Sequence, residues 1–256
     1  MSDFQYGDLD GASVFITGGG AGIGAALTEG FLAQGAKVGF VQRSDASEFC
    51  AEMAAKYGRA PHFVPCDITD TRALRAAIDE VAEVNGPVSV LVNNAANDTR
   101  HATLDMDEAD WDAAMAVNLK AYFFATQAVV PMMQAIGGGA IINFSSISYM
   151  LGIGDLPAYT SANGAITAMT RGHAREFGCD GIRVNALAPG WVLTERQMRL
   201  WATPEDLSAF MEKQCLKRHL TPKDIVGPVL FLASNASAMM TGQCIAVDGG
   251  VVTVAA

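Results

Sequence analysis

The chain has 256 residues, half of them apolar and 17% charged, which at roughly 150 residues per domain predicts one large domain spanning residues 1–256. Its 27 acidic residues outnumber 17 basic ones, giving a net charge of -10. That balance argues against nucleic acid, whose phosphates need a basic face, and against an anionic membrane surface. Cys50, Cys66, Cys179, Cys215 and Cys244 form no CxxC pair and are odd in number, which predicts free thiols in a reducing, cytoplasmic compartment and no metal site. Residues 1–11 carry Asp3, Asp8 and Asp10 without an apolar run, unlike a signal peptide. Apart from weak Ala/Gly-rich windows, no uncharged apolar stretch reaches the ~18 residues of a membrane span.

In chain order, short β-branched runs at 13–16, 37–41, 62–64, 88–92, 140–144, 182–186 and 244–247 predict strands buried on both faces. Between them lie helical periodicities, such as Trp111, Met115, Leu119, Tyr122, Thr126 and Val129, then Ile166, Met169, His173 and Phe177. The alternation predicts an α/β, single-domain, Rossmann-type doubly wound fold with a mainly seven-stranded parallel sheet flanked by helices. Gly137, Gly138 and Gly139 form a turn rather than a domain boundary. Residues 191–222, rich in Arg, Met and Trp, are the least regular stretch, expected as a substrate loop at the carboxyl edge of the sheet.

The first strand runs into Thr17-Gly18-Gly19-Gly20-Ala21-Gly22-Ile23-Gly24 and then a helix over 25–34. Glycines permit a tight turn and close approach to a pyrophosphate, and a helix N-terminus offers free N–H groups. The strict GxGxxG spacing fails, whereas TGxxxGIG fits. This spacing resembles that of the short-chain dehydrogenase/reductase family. The resemblance extends over residues 11–250 through Asp67, Asn93-Asn94-Ala95-Ala96 (with Ala96 where the family has glycine), Pro189-Gly190 with Thr194, and Asp248-Gly249-Gly250.

The resemblance implies a nicotinamide dinucleotide held by Gly18, Ala21, Gly22, Ile23, Gly24, Arg43, Ser44, Asp67, Ile68, Asn94, Pro189, Val192 and Thr194. In the family the residue ending the second strand reads the adenosine ribose, and a carboxylate there repels a 2′-phosphate. Here that position is Gln42, followed by Arg43, which could pair with a phosphate. NADP is therefore favoured over NAD, although Ala21 adds no support and Gln42 would tolerate both. The resemblance also implies that Tyr159 exchanges a proton with the substrate oxygen, that Ser146 hydrogen-bonds it, and that Asn118 supports a proton-relay water. Tyrosine suits this role only if its pKa of about 10 is lowered.

The family lowers it with a lysine four residues after the tyrosine. Here that residue is Asn163, the sharpest departure in the chain. It can hydrogen-bond a ribose hydroxyl but supplies no cationic field, and Lys120 lies on another helix face from Asn118. Three explanations stand: a natural asparagine enzyme working at raised pH, an inactivating substitution, or a nucleotide-binding module without catalysis.

Residues 97–101, 138–148 and 214–224 resemble bacterial aldose 1-dehydrogenases of this family, which oxidise C1 of a sugar to a lactone. On that resemblance Asn97, Ser148 and Gln197 are expected to meet sugar hydroxyls, and Trp191 or Trp201 to stack on a sugar face. Arg100, Arg196 or Arg199 would instead suit an acidic or sulfonated sugar. A general carbonyl reductase is the alternative enzyme. His173 reads as a packed or interface residue, and His62 and His219 lack partners at metal spacing. Relatives pair the helices bearing Asn118 and Tyr159, which implies a homotetramer.

Overall fold

The β-branched runs become seven strands: β1 (Ser13–Thr17), β2 (Lys37–Gln42), β3 (His62–Pro65), β4 (Val90–Asn93), β5 (Gly139–Phe144), β6 (Ile182–Pro189) and β7 (Cys244–Val247). They form one sheet in the order β3-β2-β1-β4-β5-β6-β7, with every neighbouring pair parallel. This computed structural model describes residues 5–252; Asp3 lies outside them. The helices are α1 (Gly22–Ala33), α2 (Ser47–Tyr57), α3 (Thr71–Asn85), α4 (Glu108–Met115), α5 (Ala121–Ala135), α6 (Ser148–Leu151), α7 (Pro157–Phe177), α8 (Glu195–Leu200), α9 (Pro204–Lys213) and α10 (Pro222–Ala233).

Strand β1 shows why the runs are apolar throughout. Val14 and Ile16 enter a core with Leu27 and Phe31 of α1 and Ile225 and Val229 of α10. Phe15 enters a second core with Ile78 and Val81 of α3 and Ala125 and Val129 of α5. The alternating residues thus serve opposite faces of one sheet, and helices cover both. The strand order reverses at β1 and β4, which opens a crevice at their carboxyl ends.

Two expectations need correction. Strand β6 continues to Pro189, where its last residues pair with β7. Residues 191–222 are not irregular: they contain α8 and α9, capped by the Thr194 and Thr203 side chains, and a Val192–Leu220 bridge closes the base of this excursion. The helical run Glu108–Ala135, 28 residues including a π-turn at Ala116–Lys120, is long and apolar enough to cross a membrane by length and composition alone. It packs against α3 and α7, as a core helix does.

Candidate active site

All the predicted motifs end at one edge of the sheet. Gly18 follows β1 at φ 71°, a backbone region that favours glycine. A Cβ at Gly24 would overlap the Gly18 carbonyl, so the first turn of α1 can close onto the strand end only without a side chain there. Thr17 Oγ1 accepts from the main-chain N–H groups of Asn94 (2.9 Å) and Ala95 (3.0 Å). Asn94 Nδ2 donates in return to the Thr17 carbonyl at 3.0 Å. These bonds lock the glycine turn to the end of β4.

A groove of about 1260 Å³ runs along this edge past Gly18, Ala21, Gly22, Ile23, Gly24 and Asn94 at one end. Pro189, Val192 and Thr194 line it as well. No side chain caps the N-terminus of α1, leaving its first N–H groups to face a ligand. A bare helix end, side-chain-free glycines and a long groove fit a dinucleotide with its pyrophosphate at α1.

At the end of β2, Gln42 Oε1 accepts from the Gly20 N–H at 2.9 Å, and its Nε2 donates to the Ser44 carbonyl at 3.1 Å. Arg43 and Ser44 line the groove. The Arg43 side chain is 81% exposed and stands 3.9 Å from the Asp67 carboxylate. Asp67 is bound by the Thr69 N–H and hydroxyl, which hold its carboxyl below the usual range. Ile68 is buried in the second core. Asp67 and Ile68 lie in the turn after β3 and are not among the groove-lining residues, although Asp67 stands beside the groove-lining Arg43.

The proposed reacting groups come from β5 and α7. Ser145 Oγ donates to the Asn163 carbonyl at 3.0 Å, and Asn143 Nδ2 to Thr170 Oγ1 at 3.0 Å, so buried bonds fix strand to helix. Ser146, Tyr159 and Asn163 then line one stretch of the groove. Burial pushes the Tyr159 phenol above its ordinary value; hydrogen bonding by Ser146 opposes this, the Asp98 charge reinforces it, and Asn163 and Arg196 oppose it more weakly. Asn163 is 2% exposed, and its Nδ2 donates to the Tyr159 main-chain carbonyl at 2.8 Å. The asparagine folds back on its own helix, and Lys120 is exposed away from the groove.

Asn118 is buried in the π-turn, an irregularity often found at functional sites. Its Oδ1 accepts from the Asn97 N–H at 2.8 Å and its Nδ2 donates to the Asn97 carbonyl at 3.0 Å. The amide therefore positions the segment after β4, and Asn118 itself lines the groove.

The substrate expectations divide. Ser148, Trp191 and Gln197 line the groove, whereas Asn97 does not. The Asn97 carboxamide oxygen instead accepts from Thr99, closing a turn. Trp201 is not in the groove wall either; the Arg100 guanidinium lies 4.5 Å from its ring centre. Asp98 and Tyr122 are among the groove residues that sequence reasoning did not place there. Asp98 is bound by Arg196 and by Gln197 Nε2 at 2.6 Å, a link across 99 residues with no local signal. Tyr122 lay only in the helical stripe, yet it reaches the groove wall beside Asn118. His173 packs between Phe123 and Phe177, and His62 pairs with Glu80 at 2.9 Å.

A family model described as enoyl-(acyl carrier protein) reductase matches residues 18–252. The protein named "Probable galactose dehydrogenase GalD" from Rhizobium meliloti is 50% identical over 249 residues, covering 96% of this chain and 97% of its own. D-xylose 1-dehydrogenase of Caulobacter vibrioides is 45% identical over 252 residues, covering 98% and 99%. The crystal structure of a blue fluorescent protein from a metagenomic library, in complex with NADPH, is 31% identical, with a TM-score of 0.86 over 96% of this chain and 99% of that one. Sheet order, glycine turn and these matches agree: the chain belongs to the short-chain dehydrogenase/reductase family.

Proposed function

We propose that the protein is an NAD(P)-dependent sugar 1-dehydrogenase that oxidises the anomeric carbon of an aldose to a lactone. The observation that carries this reading is the meeting of Ser146 and Tyr159 in a groove that the polar side chains of Asp98, Ser148 and Gln197 also line. The galactose and xylose dehydrogenases, similar over nearly the whole chain, support the sugar class.

When bound, the nicotinamide supplies the hydride acceptor. Tyr159 takes the C1 hydroxyl proton, and Ser146 orients that oxygen and steadies its developing charge. Asn118 holds the segment after β4 in place. Asn163, in the position of the family lysine, keeps a hydrogen bond to the Tyr159 backbone and adds no positive charge, so the base is weak near neutral pH. The excursion 191–222 covers the sugar. At the other end Arg43 and Ser44 follow the neutral Gln42, with no carboxylate among the groove-lining residues of that loop, which favours NADP over NAD. Five free cysteines suit a reducing cytoplasm, and the partly exposed Phe123 and Trp111 on α5 and α4 suit burial in a homotetramer.

The test is an aldose panel with NADP or NAD, followed by nucleotide absorbance, on the native chain and on Asn163→Lys. Lactone formation with an aldose supports the reading. Nucleotide binding without turnover in both forms would leave a nucleotide-binding module instead, and turnover of ketones alone a general carbonyl reductase.

A further inference from the structure

The charged residues nearest the reacting tyrosine bear on which sugars enter. Asn118 grips Asn97 through both its main-chain groups, so the next residue, Asp98, starts from a fixed point beside the catalytic helices. The Asp98 carboxylate is then fixed a second time. Arg196 binds one oxygen, Gln197 Nε2 the other at 2.6 Å, and Gln197 Oε1 accepts from Trp191 Nε1 at 2.9 Å. The Asp98 side chain retains 22% exposure and lines the groove. A carboxylate has about four acceptor positions, and these partners occupy one on each oxygen.

A second polar residue lines the same groove. Ser148 is 3% exposed, and its Oγ has no hydrogen-bond partner. A buried hydroxyl left this way is costly, and a ligand hydroxyl satisfies it.

We propose that Asp98 and Ser148 form a hydroxyl-reading subsite that selects an uncharged aldose and rejects acidic or sulfonated sugars. The proposal rests on the sugar-dehydrogenase reading above and narrows it. Asp98 neutralises Arg196, so the guanidinium nearest the reacting tyrosine is not free for a substrate anion. Arg100 lies over Trp201, and Arg199 and Lys213 are exposed, where solvent and salt weaken their hold on an anion. An acidic sugar would set its charge against a carboxylate that cannot turn away. A neutral sugar donates hydroxyl protons to that carboxylate in charge-assisted bonds and meets Ser148 with another hydroxyl.

The experiment compares galactose with galacturonate, and glucose with glucuronate, in initial-rate kinetics of the native chain, Asp98→Asn and Ser148→Ala. Nucleotide affinity, read by nucleotide fluorescence, reports that each variant is folded. The native chain is expected to favour the neutral member of each pair by at least about 10-fold in kcat/KM. Asp98→Asn is expected to raise KM for the neutral sugar about 10- to 100-fold with a smaller change in kcat, and to narrow the neutral-to-acidic ratio about 10-fold. Ser148→Ala is expected to raise KM several-fold, and it tests the subsite independently if Asp98→Asn does not fold. Equal use of acidic and neutral sugars by the native chain, or variants with native nucleotide affinity and unchanged KM and ratio, overturns the proposal. Oxidation of no aldose by any form removes the sugar-dehydrogenase reading itself, and the subsite with it.

Discussion

Replacing Asn163 with lysine tests the chemistry of the site most directly. Side chains four residues apart on a helix stand about 6 Å apart. Two unit charges at that distance interact by about 2.8 kcal/mol at an effective dielectric near 20. That equals about two pH units on the Tyr159 phenol. In the native chain burial holds this phenol above its ordinary value, so the tyrosinate needed for oxidation is scarce at neutral pH. Its fraction grows tenfold for each pH unit below the pKa. Aldose kcat/KM is therefore expected to climb through about pH 7 to 10 without levelling. Asn163→Lys should slide the whole curve toward lower pH and raise kcat/KM about 10²-fold near pH 8. Two effects oppose it: the site is 2% exposed, which disfavours a buried ammonium, and the bond from Asn163 to the Tyr159 carbonyl is lost at about 1 kcal/mol. The assay is the pH profile of aldose oxidation at saturating nucleotide in both forms, with Tyr159→Phe as the inactive control. Superimposable profiles would refute the assignment of Tyr159 as the titrating base or of residue 163 as its modulator.

Three further outcomes follow from other parts of the molecule. Arg43→Ala is expected to raise KM for NADP about 10-fold while leaving KM for NAD within about twofold, since only a 2′-phosphate uses a charge-assisted bond there; equal effects on both nucleotides would refute that use. Arg183 donates to the Leu232, Ala233 and Ser234 carbonyls and to Ser237 Oγ at the end of α10, so Arg183→Met should cost about 3 kcal/mol in urea unfolding, and a loss below about 0.5 kcal/mol would refute its bracing role. Hydrogen bonding by Arg218 lowers the Asp224 carboxyl to about 2. This stabilisation is complete above the unfolded value of about 3.9 and vanishes as pH falls toward 2. Asp224→Asn should therefore flatten the acid limb of the stability curve between about pH 5 and 2, and an unchanged limb would contradict the pairing.

The strands were legible because each is a short run of residues buried on both faces, as Val14, Phe15 and Ile16 show. The glycine turn was legible because its spacing is set by contacts within a few residues, such as Gly24 against Gly18. Ser146, Tyr159 and Asn163 were found by order and spacing, but the folding back of Asn163 onto its own helix was not, since an asparagine in a helix has several hydrogen-bonding choices. Asp98 was invisible because its partners lie 98 and 99 residues away and an acidic loop residue is ordinarily solvated. The helices within 191–222 were missed although Thr194 and Thr203 are ordinary N-caps; the arginines and tryptophans hid their periodicity.

Gln42 carries a consequence for how this protein could change its cofactor. Its amide bridges the glycine turn and the loop after β2, so the two walls of the adenosine end are preassembled before any nucleotide arrives. Aspartate at this position would install a carboxylate that repels a 2′-phosphate. It would also remove the donor to Ser44 and leave that wall loose. The charge offered to the ribose and the rigidity of the entrance thus both depend on this one side chain. An aspartate here would therefore call for a second substitution, at Arg43 or Ser44, to brace that wall again.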